Sequence, residues 1–415
     1  MNLTRKRWLL LAISCAICFC AGSIYAWSVF AGPLAARLSA ITGTDLTPGD
    51  LASAFALANA VGPIPMILGG AVTDRWGPRP VIMAGGLLMG AGLVLSGLAT
   101  SVSMLLVSYG LLFGLGLGLT YGCVINNTLK FFPDHRGLVG GLTTAIYGSC
   151  SVLLPPVANV AIGALGVSAS LELFGWVFGA VIVAGGFLSM KCPAGFLPDG
   201  MAAVAKKTAP ASKRDVDWRG MVSTPVFWAM AAMLLCGAVS GMMILSQAST
   251  IAQQQAGMTV AAAAAAVSIL ALANTAGRLL AGVLSDTLGR LAALCTAVVL
   301  QMAGLFCLTG ASTEAVPLFY AGIIATGLAF GSFMGVFPGF TADEFGTSHN
   351  AVNYGIMFAG FAVAGTVGPT LMRSILAGGG SYASCYLAAL VISGAGLVFS
   401  FAYRMLAKRA EKAAA

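Results

Sequence analysis

Apolar residues run along this chain for about twenty positions at a time, and the runs are separated by short segments rich in charge, glycine or proline. A helix of that length crosses the roughly 30 Å hydrocarbon core of a bilayer, so each run predicts one membrane span. The breaks place twelve spans at 8–34, 51–73, 80–99, 103–129, 138–165, 171–190, 225–252, 260–284, 291–311, 315–341, 351–376 and 382–406. The predicted fold class is therefore an all-α polytopic membrane protein with twelve transmembrane helices. The longest polar segment, 191–224, contains Lys206-Lys-Thr-Ala-Pro-Ala-Ser-Lys-Arg214 and separates six spans from six. It reads as a linker between an N-terminal six-helix bundle, 1–190, and a C-terminal six-helix bundle, 225–415.

The two halves echo each other. Gly70-Ala-Val-Thr-Asp-Arg-Trp-Gly-Pro-Arg79 lies between spans 2 and 3, and Gly282-Val-Leu-Ser-Asp-Thr-Leu-Gly-Arg290 between spans 8 and 9. A Gly-x-x-x-Asp-x-x-Gly repeated at equivalent places predicts pseudo-symmetric halves. Glycine permits close helix approach and a tight turn, while the carboxylate can cap the next helix start and pair with a nearby arginine. A cytoplasmic gate of Asp74, Arg75, Arg79, Arg136, Asp286 and Arg290 is expected, with Asp74 taking Arg136 or Arg79 as partner.

Composition narrows the class. Of 415 residues, 59% are hydrophobic and 8% charged, against about 25% charged in soluble proteins. No soluble catalytic domain has room. The net charge of +8 sits in short inter-span segments, which the positive-inside rule explains better than nucleic-acid binding. With both termini cytoplasmic, only Arg37 and Arg373 of the inter-span cations fall outside, which predicts a multi-pass protein of the cell (inner) membrane. Met1 to Trp8 resembles the charged start of a signal peptide, but the apolar run continues to Pro33 without a clear cleavage site, so it reads as the first span. The ten cysteines are scattered through apolar runs and read as small buried hydrophobes. No His-Glu-x-x-His motif or paired intramembrane aspartates occur, and His135 and His349 fall in loops. An enzyme is excluded on this reading, and no metal or cofactor is expected.

One guanidinium breaks the apolar pattern. Arg278 lies inside span 8, about 12 Å along the helix axis from the next acidic residue, Asp286. An arginine at mid-membrane costs roughly 2.5–3.5 kcal/mol on insertion scales, which makes an intramembrane anion site the default hypothesis. Asn274, one turn earlier on the same face, offers an amide beside it. Tyr121 follows the Gly114-x-Gly-x-Gly118 stretch of span 4 and can present a phenol at lipid depth. Tyr25 and Tyr147 are further candidates. Phe330, Phe333, Phe358 and Phe361 are expected to line the C-terminal half of a cavity. Asn126 and Asn127 are expected to hydrogen-bond between helices.

Several segments carry a resemblance: Tyr25-Ala-Trp-Ser-Val-Phe-Ala-Gly-Pro33, Leu119-Thr-Tyr-Gly122, Phe131-Phe-Pro-Asp-His-Arg-Gly137, Asn274-Thr-Ala-Gly-Arg278 and Asn353-Tyr-Gly355. With twelve spans, a central linker and the duplicated loop, the whole chain resembles the major facilitator superfamily. Within it, these segments resemble the oxalate:formate antiporter and monocarboxylate porter branch. The resemblance implies an alternating-access carrier of small carboxylates that works as a monomer, with Arg278 as the carboxylate-binding arginine and Tyr25, Tyr121 and Tyr147 as pocket aromatics. Where the oxalate antiporter has a span-11 lysine, this chain has Phe361. One fixed cation fits a monocarboxylate, such as L-lactate or pyruvate, better than a dicarboxylate. Animal monocarboxylate porters share a first-span lysine and an aspartate one turn before the arginine, and this chain has Val29 and Asn274 there. Proton symport is the expected mode, with carboxylate exchange of oxalate:formate type as the alternative.

Overall fold

The computed structural model describes residues 3–199 and 215–414. The basic part of the expected linker, with Lys206, Lys207, Lys213 and Arg214, lies outside the described residues. The first span is α1 (Leu3–Ala21) and α2 (Trp27–Thr42), joined by a 3-10 turn at Gly22–Ala26. The turn begins where Gly22 packs against the Tyr147 carbonyl, too close for a side chain. The second span is α3 (Ala52–Val61) and α4 (Pro63–Trp76), which meet at Gly62, whose φ of −50° and ψ of −46° stay helical. Pro63 opens α4, where its missing N–H leaves no bond unmade. The third is α5 (Pro78–Gly97). The fourth combines α6 (Val102–Leu105), a π-helical turn at Leu106–Phe113 and α7 (Gly114–Phe131).

Residues 136–188 are helical throughout except at Gly166, whose φ of 77° and ψ of 167° lie outside helical geometry. An unbroken helix of that length would be about 80 Å long, more than twice the hydrocarbon thickness. Gly166 therefore divides two spans, α8 (136–165) and α9 (167–188), where the sequence places spans five and six. After the short α10 (Trp218–Val222) come α11 (Pro225–Gln254), α12 (Val260–Leu288), α13 (Arg290–Thr309), α14 (Val316–Phe345), α15 (Asn350–Ala377) and α16 (Tyr382–Ala414). Each of the six helices after α10 is long and apolar enough to cross a membrane. Twelve spans are thus present among the described residues. Several helices outrun their apolar runs: α1 takes in Arg5 to Arg7, and α14 reaches Phe345. Hydrophobicity marks the hydrocarbon core, whereas backbone bonding continues into the polar interface.

Packing groups the chain into two compact units. Unit 1 comprises Met1–Asp134, Ile146–Asp215 and Phe345–Ile356; unit 2 comprises His135–Ala145, Val216–Glu344 and Met357–Ala415. Each unit takes one short segment from the other side of the 191–224 linker. The first turns of α8 belong with unit 2, and the first turns of α15 with unit 1.

Candidate functional site

In unit 2, α12 carries Arg278 as its most deeply placed cation, 2% exposed. Its Nε donates to Asn274 Oδ1 at 3.1 Å, so the one-turn spacing on a single face brings the two together. Its Nη1 donates to the Thr144 carbonyl of α8 at 2.8 Å. Both of these partners are neutral oxygens. Hydrogen bonds from a charged donor contribute about 1.5–3 kcal/mol each, enough to offset the insertion cost of the guanidinium. The Thr143 and Thr144 hydroxyls bond back to the Val139 and Gly140 carbonyls, at 2.8 Å each, while the Thr144 carbonyl faces Arg278. The arginine's backbone is held closely as well. A Cβ at Gly331 or Gly335 of α14, or at Gly141 of α8, would collide with backbone atoms of Asn274 or Arg278.

Three of the expected phenylalanines meet in unit 2, with Phe330 and Phe361 at 5.9 Å between ring centroids and Phe358 and Phe361 at 4.9 Å, while Phe333 is buried with its ring on Gly237. Their exposures differ. Phe330 is fully buried with its ring on Gly241 of α11, whereas Phe358 and Phe361 are half-buried. In unit 1, Tyr147 joins Tyr25 at 5.3 Å and Tyr121 at 4.5 Å, so three tyrosines from the 3-10 turn, α7 and α8 form one cluster. Tyr121 is buried and the other two are half-buried.

The expected gate residues resolve into two networks. In unit 2, Asp286 accepts the N–H groups of Gly137 and Leu138, both at 2.8 Å, and Arg290 Nη1 at 2.8 Å. The helix it caps is α8, not the next helix in the chain, α13. The expectation of a cap on the next start is corrected: α12 crosses α8 where Gly282 meets the Gly137 backbone, so the carboxylate reaches the first turn of α8. Arg290 Nε also donates to Asp343 Oδ2 at 2.8 Å, and Arg136 Nη1 to Asp343 Oδ1 at 2.6 Å. Asp343 thus bridges two of the expected arginines, a role that its sequence context did not mark.

In unit 1, Asp74 pairs with neither Arg136 nor Arg79. Its Oδ1 accepts from Lys130 Nζ at 2.8 Å, with the two side chains 8% and 19% exposed. Lys130 lies in the last turn of α7, beside the end of α4. Arg79 Nε instead donates to the Ser189 carbonyl at 2.6 Å, and Arg75 is exposed. Lys191 Nζ donates to the Asp74 and Arg75 carbonyls at 3.0 and 2.7 Å, closing the end of α4. Arg7 holds Asp134 with both guanidinium nitrogens, at 2.7 and 2.8 Å, under the Phe132 ring. One of the two expected interhelical amides is present, with Asn350 of α15 donating to Asn126 Oδ1, whereas Asn127 Nδ2 donates to the Met190 carbonyl, just past the end of α9, at 3.1 Å.

The chain matches the family model of the Major Facilitator Superfamily over residues 12–313 and 250–415. It is 30% identical over 363 residues to an uncharacterised MFS-type transporter, YhjX, of Escherichia coli (strain K12), covering 87% of this chain and 86% of that protein. It is 27% identical over 375 residues to the oxalate:formate antiporter of Oxalobacter formigenes, covering 90% and 86%. Against monocarboxylate transporter 12 of Homo sapiens the identity is 26% over 379 residues, covering 83% and 71%. Among solved structures, the MFS proton:xylose symporter XylE superposes with a TM-score of 0.74 at 15% identity, covering 96% of each chain, a likeness of fold.

Proposed function

The chain belongs to the Major Facilitator Superfamily, and on that premise we propose that it carries a small monocarboxylate, such as L-lactate or pyruvate, together with a proton by alternating access. It is a membrane transporter and not an enzyme. The observation that carries the substrate reading is Arg278, a buried guanidinium whose bonds to Asn274 and Thr144 are to neutral oxygens. An arginine keeps its proton, so the charge stays in place when no anion is bound. A carboxylate binding there neutralises it, and the loaded carrier then closes over a desolvated ion pair more readily than the empty one. Asn274 already spends its carbonyl on Arg278, which leaves its amide N–H groups to donate to the substrate. Phe361 and Phe358 supply an apolar surface for a methyl group. Phe330 acts behind Phe361 as support, and Tyr25, Tyr121 and Tyr147 are candidate contacts for the substrate on their own unit. The Lys and Arg distribution favours both termini on the cytoplasmic side of the cell (inner) membrane, with the Asp74 and Asp286 networks on that side as gates.

Carboxylate exchange is the second reading, favoured by the likeness to the oxalate:formate antiporter over most of both chains. Uptake of labelled L-lactate into proteoliposomes, with and without an inward proton gradient, separates the two. Gradient-driven accumulation supports symport. Uptake that ignores pH but rises with lactate or oxalate preloaded inside supports exchange. On either reading, Arg278→Ala abolishes uptake. Arg278→Lys lowers it about 10- to 100-fold, because an ammonium loses the planar fork and one charged hydrogen bond. Near-normal uptake by Arg278→Lys would sink the arginine assignment.

A further inference from the structure

Two spans of unit 1 depart from α-helical bonding, at the 3-10 turn Gly22–Ala26 and at the π-helical turn Leu106–Phe113. Each presents one hydroxyl, Ser23 from the first and Tyr109 from the second, to the same small cavity. Ser23 is 7% and Tyr109 3% exposed, and neither side-chain oxygen has a hydrogen-bond partner in the protein. The Tyr109 ring cannot turn away, being stacked on Phe113 at 4.7 Å and held by Trp27 at 4.4 Å. The remaining walls, among them Phe30, Leu93, Leu154 and Phe174, are apolar.

We propose that this cavity is a binding site for one ordered water molecule that bridges Ser23 Oγ and Tyr109 Oη. The size selects the ligand. A water-sized sphere has about 10 Å³ in which to move its centre, the lower limit for one water and too little for an organic anion or a lipid chain. The chemistry agrees with the size. Two neutral hydroxyls supply neither the charge nor the six to eight oxygens that a hard metal cation takes. A water can donate to or accept from both hydroxyls, each of which can do the same. Cavities walled only by apolar groups stay dry, and these two oxygens set this one apart. The water ties the irregular turn of the first span to that of the fourth, so it stabilises the places where both helices forgo regular backbone bonds.

The sign of a stability change tests this. Melting temperatures would be measured for the purified full-length protein and its Ser23→Ala, Tyr109→Phe and double variants. A bridged hydroxyl is missed when removed, so each single variant should melt about 1–2 °C lower. The double variant should melt no lower than the weaker single, because both changes act through one molecule. An unchanged or raised melting temperature in the single variants overturns the proposal, since removing an unpaired buried hydroxyl relieves a penalty. Falls that simply add in the double variant overturn it as well. An experimental structure that resolves waters gives the direct reading: a density peak within hydrogen-bond distance of both oxygens supports the site, and none overturns it.

Discussion

At the end of α12, Asp286 accepts two backbone N–H groups from the first turn of α8 and a guanidinium nitrogen of Arg290, which also holds Asp343. At the end of α4, the matching Asp74 accepts from the ammonium of Lys130 and faces the Val352 N–H in the first turn of α15, without the two short backbone bonds that Asp286 makes. The backbone setting is shared. Gly282 lies on Gly137 of α8 much as Gly70 lies on Ala351 and Val352 of α15, each too close for a side chain. The difference traces to the residue after the motif's last glycine, Arg290 in one copy and Pro78 in the other. A proline has no charge to offer, and Arg79 is turned onto the Ser189 carbonyl. The first copy therefore draws its cation from α7. A duplicated motif thus preserves the helix crossing while each copy recruits its charge partner separately.

That contrast predicts unequal damage. Asp286→Ala removes an N-terminal cap and an ion pair at once, and leaves Arg290 with Asp343 as its one remaining charged partner beside the neutral Ser285 hydroxyl. A cap contributes about 0.5–2 kcal/mol, and a largely buried charge left short of a partner adds to that, so a loss of about 2–4 kcal/mol is expected. Asp286→Asn keeps one oxygen for the α8 turn and should lose about half as much. Asp74→Ala should lose less, about 1–2 kcal/mol, because the long lysine stem lets Lys130 carry its ammonium towards water. Melting temperatures of the purified variants read both. Equal losses, or a larger one for Asp74→Ala, would break the comparison.

The Asp74 copy can be sharpened by a rescue. If the damage in Asp74→Ala comes from stranding Lys130, then Asp74→Ala combined with Lys130→Met should recover most of the lost stability, since an apolar pair of similar volume avoids the desolvation of both charges. The corresponding double change at Asp286 and Arg290 should recover little. Gly137 and Leu138 still lose their acceptor, and Asp343 then loses Arg290 as well. Recovery at both copies would mean that the backbone cap contributes little.

How much of this was legible in the sequence depends on how far a residue's partner lies along the chain. The spans were legible because each apolar run is its own signal, and Gly166 falls in the gap left between the fifth and sixth runs. Arg278 and Asn274 were legible as a pair because they lie four residues apart on one helix. The Thr144 carbonyl was not, since a backbone acceptor 134 positions away leaves no mark in the side-chain pattern. Lys130 lies 56 positions from Asp74, and Asp343 lies 207 from Arg136. Which charge meets which across such distances is decided by helix packing, and a cation close by in sequence, Arg79, was a poor guide. The tyrosine cluster was legible in its members but not in its geometry, because the 3-10 turn that places Tyr25 interrupts an otherwise uniform apolar run.

The smallest expected effect comes from Lys191, which closes the end of α4 only in the Asp74 copy. Its ammonium donates to the carbonyls of Asp74 and Arg75, groups in the last turn that have no later helical N–H to accept. A cation at a helix C-terminus also interacts favourably with the helix dipole, worth about 0.3–1 kcal/mol at an exposed position. Lys191 is exposed, so the lower part of that range applies, and Lys191→Met should lower the melting temperature only slightly at low ionic strength. The salt response tells the source apart. At about 1 M salt the screening length falls to roughly 3 Å, so a dipole and charge effect should fade and the variant should approach the parent. A deficit that persists undiminished in high salt would mean that Lys191 acts through its packed stem against Gly77, where its Cβ lies 3.2 Å from the position of an added side chain, and that the closure of α4 is steric.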